Sequence, residues 1–266
     1  MQQAIIRGNT FFYEDLNTQE REGILFVHGH PFNHTMWKYQ HDALHNFRLI
    51  LPDLRGYGQS DHQFDKIYIE EQALDLALLL DQLEIEKVHL VGLSMGGQII
   101  VEFHRLFPQK VISLAICAST PSAETPESYA HRLQLASTIK EVGMLAYTQQ
   151  AIHEYINLEK VGTNSAVYQH LFDMMSNITA VGAAASHRGR AERRDNFAYL
   201  QQIKVPTLVI AGEKDYFFKV ADVEQVAQQI VGARFHLIQY AGHLPNMEQP
   251  YIFNEVLLNF YQALPS

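Results

Sequence analysis

The 266-residue sequence predicts an α/β protein, with a mostly parallel central sheet, helices on both faces and one helical insertion. Three observations carry this. Apolar runs of strand length alternate with helical periodicity along most of the chain. The alternation lapses once, between Ser122 and Tyr199. A glycine-rich turn joins one apolar run directly to a helix.

Taken in order, the strand candidates are Gly23–His28, Arg48–Leu51, Val88–Leu93, Val111–Cys117, Thr207–Ala211 and Phe235–Gln239. Each is a four-to-seven-residue stretch rich in Val, Ile, Leu and Phe, the pattern of strands buried on both faces. Ile99, Ile100, Phe103, Leu106 and Phe107 follow helical spacing, and Pro108 ends that helix. Ile252, Phe253, Val256, Leu257 and Phe260 repeat the pattern after Pro250, a favourable first-turn proline. Within the lapse, Thr125-Pro126-Glu127 reads as a helix start, and Tyr129, Leu133, Ala136 and Ile139 fall on one helical face. Asp195 is placed as the cap of a short helix before the fifth run. The expected organisation is a core of residues 1–121 and 200–266, with 122–199 forming a helical cap over one sheet edge.

Composition excludes several classes. With 47% hydrophobic and 18% charged residues the chain has ample core material and is not disordered. A net charge of −9 argues against nucleic acid or an anionic membrane as partner, because phosphate contact needs clustered Lys and Arg. Cys117, the single cysteine, can form no internal disulfide. The first residues show no basic-then-apolar leader, and no uncharged run reaches the roughly 18 residues a membrane span needs. The default expectation is a cytoplasmic protein acting on a small molecule; a homodimer is compatible with the sequence.

The sharpest motif is Gly92-Leu93-Ser94-Met95-Gly96-Gly97, at the junction of the third run with the following helix. A serine in so tight a turn leaves no room for side chains two residues to either side, and it sits at a helix N-terminus, where developing negative charge is favoured. A serine nucleophile needs a base, and the base an orienting carboxylate. Asp215 lies four residues past the run ending at Ala211, and His243 four past Gln239. All three therefore fall at the carboxyl ends of strands, where open parallel sheets bind ligands. Glu213, nearer its strand, is read as structural. An oxyanion would need backbone N–H donors. Met95 supplies one, and His30, in His28-Gly29-His30-Pro31, is the choice for the other, since Pro31 has no N–H.

On these residues, with Asp53-Leu-Arg-Gly-Tyr-Gly-Gln-Ser-Asp61, Gly212–Asp215 and Gly242–Glu248, the chain resembles the α/β-hydrolase superfamily over nearly its whole length. It is most similar to the 3-oxoadipate enol-lactonases, small carboxylesterases and cofactor-free haloperoxidases. The resemblance implies the α/β-hydrolase fold and a serine hydrolase that cleaves a carboxylic ester or lactone through an acyl-enzyme, with Ser94, His243 and Asp215 as triad and no cofactor. His30 departs from the aromatic residue usual in the haloperoxidases, which places perhydrolase activity in doubt. A carbon–carbon bond hydrolase with the same triad is the alternative enzyme, and a non-catalytic ligand receptor the alternative outside enzymes. Asp53, Arg55 and Asp61 are expected in a buried ion-pair or turn network, and Glu248 in fixing the last loop. His28, His30 and His34 hint at a metal, but no further ligands follow at close spacing, so none is expected. Phe32, Trp37 and Leu244 stand as candidate substrate-contact residues. The charged residues of 122–199, Arg132 and the run Arg188–Arg194 among them, suggest a closed polar cap and small water-soluble acyl groups.

Overall fold

A computed structural model describes residues 1–264. Two strands precede those expected: β1 (Gln2–Ile6) and β2 (Asn9–Leu16). They form an antiparallel hairpin through Arg7 and Gly8, both at positive φ (51° and 79°), as a two-residue turn matched to strand twist requires. They differ from the apolar runs because they lie at the sheet margin. Only Phe11 and Tyr13 of β2 are buried, so the hydrophobic signal alternates and is short.

All six apolar runs are strands: β3 (Gly23–Val27), β4 (Arg48–Pro52), β5 (Val88–Leu93), β6 (Val111–Cys117), β7 (Thr207–Gly212) and β8 (Arg234–Ile238). The eight form one sheet in the order β1-β2-β4-β3-β5-β6-β7-β8. From β4 onward in that order every pairing is parallel. In β3, β5 and β7 every residue is buried. Each Val, Leu or Ile so removed from water stabilises the fold by about 1.5–3 kcal/mol, which explains why unbroken apolar runs identified them.

Helices α1 (Ile69–Gln82) and α2 (Met95–Leu106) pack together against the sheet. The segment between β6 and β7 carries α3 (Pro126–Tyr155), α4 (Leu158–Val161), α5 (Ala166–Ser176) and α6 (Ala180–Ala191). Thr125 caps α3 by accepting from the Ser128 N–H. The helix is broken at Gly143, at φ 80° and ψ 165°. Of the four residues expected on its inner face, Ala136 and Ile139 are buried, whereas Tyr129 and Leu133 are exposed. The first two turns overhang the core, so helical spacing there marks a face without a partner. The amide of Ile67 donates to the Ala185 carbonyl and seats α6 on the core. Asp195 accepts from the Phe197 N–H in a turn ahead of the 3₁₀ helix Ala198–Gln202 and does not cap it as expected: the N-cap position is Phe197, without a side-chain cap. Helices α7 (Val220–Gln229), α8 (Pro245–Glu248) and α9 (Pro250–Gln262) complete the chain. Among the described residues no helix is long and apolar enough to cross a membrane.

Candidate active site

Ser94 stands between β5 and α2 at φ 56° and ψ −115°, in the left-handed region that non-glycine residues rarely occupy. Such strain persists only where the surroundings over-determine it. Here a Cβ on Gly92 would strike the Gly96 carbonyl, and one on Gly96 would strike the Val27 carbonyl of the adjacent strand. The Ser94 amide donates to the Cys117 carbonyl, and its own carbonyl accepts from the Ser119 hydroxyl at 2.7 Å. Ser94 is 5% exposed and lines a cavity of about 410 Å³ beneath the helices of the insertion.

His243, past β8, lines the same cavity. Its Nδ1 lies 2.9 Å from Oδ2 and 3.1 Å from Oδ1 of Asp215, past β7. Asp215 Oδ1 also accepts from the Phe217 amide, so the carboxylate is held on two sides. Glu213 is turned away, accepting from the Tyr240 N–H at 2.8 Å. Glu248 draws the loop around His243 tight by accepting from the amides of Gly242, Leu244 and Asn157. Burial raises the Glu248 pKa, with those three amides opposing the shift.

Met95 begins α2, so its N–H has no partner within the helix. The loop after β3 brings His30 to the cavity wall. Among the described residues neither amide has an acceptor in a turn, loop or side chain. The His30 ring is fixed by Tyr57, with Nδ1 2.7 Å from the phenol oxygen. Burial raises the Tyr57 pKa, so the phenol keeps its proton. Burial, reinforced by His187, pushes the His30 pKa well down, so the ring is neutral.

The other motif residues serve the scaffold. The Leu54 amide donates to His28 Nε2, so Nδ1 carries the proton and donates to the Gly29 carbonyl at 2.8 Å. Asp53 accepts from the His34 and Gln59 amides and contacts His34 Nδ1 at 2.7 Å. Burial alone would raise the Asp53 pKa; these hydrogen bonds outweigh it and lower it. Arg55 is paired twice with Asp75, and Asp61 accepts from the Thr10 amide. The three histidines of the loop after β3 thus turn to different partners. Among the described residues no group of three or more His, Cys, Asp or Glu could hold a metal ion.

Phe32, Trp37 and Leu244 are not cavity walls. All three are fully buried and absent from the lining. Trp37 packs between Phe26 and Phe253, and Phe32 meets Tyr155 edge to face. Proximity in sequence to the active loops put them near the site, but a large apolar side chain that can reach the core is drawn there. The insertion supplies Arg132, Tyr147, Tyr155, His187 and Arg190 to the cavity wall, and the loop after β7 supplies Tyr216, Phe217 and Phe218. Arg132 and Arg190 belong to the charged residues expected in a polar cap, and Arg190 is only 4% exposed. The one available signal was the i, i+3 pair His187 and Arg190 on an otherwise Ala- and Gly-rich helix.

A strained serine at a strand–helix turn, a carboxylate-held histidine and a covered cavity at the carboxyl edge of a parallel sheet define an α/β protein built around one ligand crevice. The chain belongs to the alpha/beta hydrolase family, whose model matches residues 24–256. It is 27% identical to 3-oxoadipate enol-lactonase 1 of Acinetobacter baylyi, over 97% of this chain and 95% of that one. Among solved structures it is similar to a thermophilic esterase from Thermogutta terrifontis with malate bound, at 30% identity and TM-score 0.94, covering 98% of both chains. It is also similar to the enol-lactonase from Burkholderia xenovorans LB400, at 25% identity and TM-score 0.91, covering 98% of this chain and 100% of that one.

Proposed function

We propose that this hydrolase cleaves a carboxylic ester or lactone through an acyl-enzyme on Ser94. The observation that carries the reading is the convergence on one cavity of a strained Ser94 and a His243 whose far nitrogen is held by Asp215 at 2.9 Å. His243 takes the Ser94 proton as Oγ attacks the substrate carbonyl. The Met95 and His30 amides donate to the resulting oxyanion, aided by the α2 N-terminus. Asp215 keeps His243 in the tautomer with its free nitrogen toward the serine and stabilises the imidazolium. On collapse, His243 protonates the departing alkoxide, which from a lactone stays tethered to the acyl chain. Water, deprotonated by His243, then releases the acid and restores Ser94. The esterase and enol-lactonases among the relatives support this substrate class. The core at 1–121 and 200–266 with a cap at 122–199 gives the division of labour, catalytic groups below and pocket walls above.

Turnover of p-nitrophenyl acetate by the purified protein, with mass-spectrometric mapping after treatment with a sulfonyl fluoride, tests it. Hydrolysis that stops when Ser94 alone is labelled is the expected result. A protein that binds small esters without turning them over would be a receptor, and inactivation with Ser94 unmodified would remove the nucleophile assignment.

A further inference from the structure

We propose that the substrate of this site carries a carboxylate of its own, received by Arg190 with Arg132 and His187 on the wall that the insertion supplies to the Ser94 cavity. The inference rests on the ester or lactone hydrolase reading and names the substrate class within it.

Two buried arginines of this protein differ in their partners. Arg55 is 5% exposed and is matched by Asp75, with Nη2 2.7 Å from Oδ1. Arg190 is equally buried, lines the cavity, and among the described residues has no carboxylate within ion-pair distance. Its Nε is buried without a partner, as are both ring nitrogens of His187 and Nε2 of His30. The His30 and His187 rings are 4.3 Å apart, so these unsatisfied groups form one cluster. An uncompensated buried guanidinium is strongly unfavourable, as is a buried polar atom left without a hydrogen bond. A ligand oxyanion that enters the cavity removes both costs together.

The protein's own carboxylates do not fill this role. Glu124 lines the cavity but is shared between Arg132 and Arg193, which leaves that trio positive. Glu154, half-buried at the wall, makes no ion pair among the described residues. Burial and the neighbouring Arg132 push the Arg190 pKa down to about 9, which leaves it charged at neutral pH. The planar fork of a guanidinium suits a carboxylate in bidentate contact.

The test compares charged and neutral esters on the intact enzyme. Mono-(4-nitrophenyl) adipate against 4-nitrophenyl hexanoate places the carboxylate on the acyl side. 4-Acetoxybenzoate against phenyl acetate places it on the alcohol side. Wild-type kcat/KM should favour the charged member on one side by about 30-fold or more, the scale of one charge-assisted contact. Arg190→Gln should cut that ratio to about 3-fold or less, and Arg190→Lys, which keeps charge but not the fork, should fall between. Calorimetry with free adipate should show binding to the wild type that Arg190→Gln loses, and weaker binding of sulfate. Equal rates on both pairs without adipate binding would overturn the proposal, as would sulfate binding as tightly as adipate. Adipate binding by a protein that cleaves none of the four esters would support the carboxylate site and overturn the hydrolase reading instead.

Discussion

Each end of the central sheet carries a grouping of a serine, a histidine and a carboxylate, and only one of the two opens on a cavity. At the carboxyl end, Ser94 and His243 share a cavity, and Asp215 holds the histidine. Toward the amino end, His89 of β5 lies 2.7 Å from the Ser113 hydroxyl of β6 and 2.7 Å from Glu22. Both legs of this second trio are at hydrogen-bond distance. Yet Ser113 is 1% exposed inside β6, beside a register shift in the ladder to β5, with no positive φ and no helix N-terminus beside it. Both ring nitrogens of His89 are occupied, so the ring has no free position to accept a proton. Ser113 satisfies a buried histidine; Ser94 is held in a high-energy backbone conformation facing space. Residue identity and contact do not make a nucleophile, whereas strain, an empty volume and unsatisfied N–H donors do.

The largest expected effect separates the two serines. Ser94→Ala should lower kcat by about 10⁴–10⁶-fold, the scale for a lost nucleophile, with unchanged denaturant midpoint. Ser113→Ala should leave kcat within about 2-fold while costing roughly 1 kcal/mol of stability. A crippled Ser113→Ala enzyme of normal stability would break the comparison. Asp215→Asn comes next, with kcat reduced about 10³–10⁴-fold through the wrong histidine tautomer. Glu22→Gln and Glu213→Gln should each change kcat by less than about 10-fold, and steady-state kinetics on the three variants decides which carboxylate orients the base. The cavity itself is tested by chain length. Within about 410 Å³, each added methylene favours binding by about 0.8 kcal/mol until the wall is met, after which overpacking reverses the gain. Rates on p-nitrophenyl esters should peak at short acyl chains and drop about 10²-fold or more by roughly ten carbons. Rates that stay level through palmitate would mean that the cap does not close the pocket.

The smallest effect concerns buried histidines away from the chemistry. Burial lowers the His28 pKa to about 4 and also lowers that of His89, with Glu22 opposing the shift at His89. A depressed folded-state pKa means that the unfolded chain binds more protons between pH 4 and the free value of about 6.5. Stability is therefore complete above about 6.5 and is lost as pH falls toward 4, by at most about 3 kcal/mol for His28. Urea unfolding across that range should show the midpoint fall with acid, and His89→Phe should flatten part of the slope. A midpoint that rises on acidification would contradict the neutral state assigned to these rings.

The sheet was legible in the sequence because its interior strands are covered on both faces, which writes burial as an unbroken apolar run. The edge hairpin was not, because half-buried strands with exposed Ile5 and half-buried Phe12 dilute the same signal. The elbow at Ser94 was legible for a related reason: backbone collisions at Gly92 and Gly96 admit one residue type, so geometry leaves its mark in composition. Asp215 and His243 followed from their distance past strand ends. The pocket did not, because a wall is defined by which helix face the tertiary packing turns inward, and local sequence encodes no such direction. Trp37, near the active loops in sequence, was taken into the core by the apolar area it could bury there. Arg190 is one of several charges in the Arg188–Arg194 run, and only the seating of α6 on the core distinguishes it by turning it to the cavity. Local sterics and hydrophobic runs determined the frame and its strained serine; the long-range packing of the insertion over the loops after β3, β7 and β8 decided what the cavity presents to a substrate.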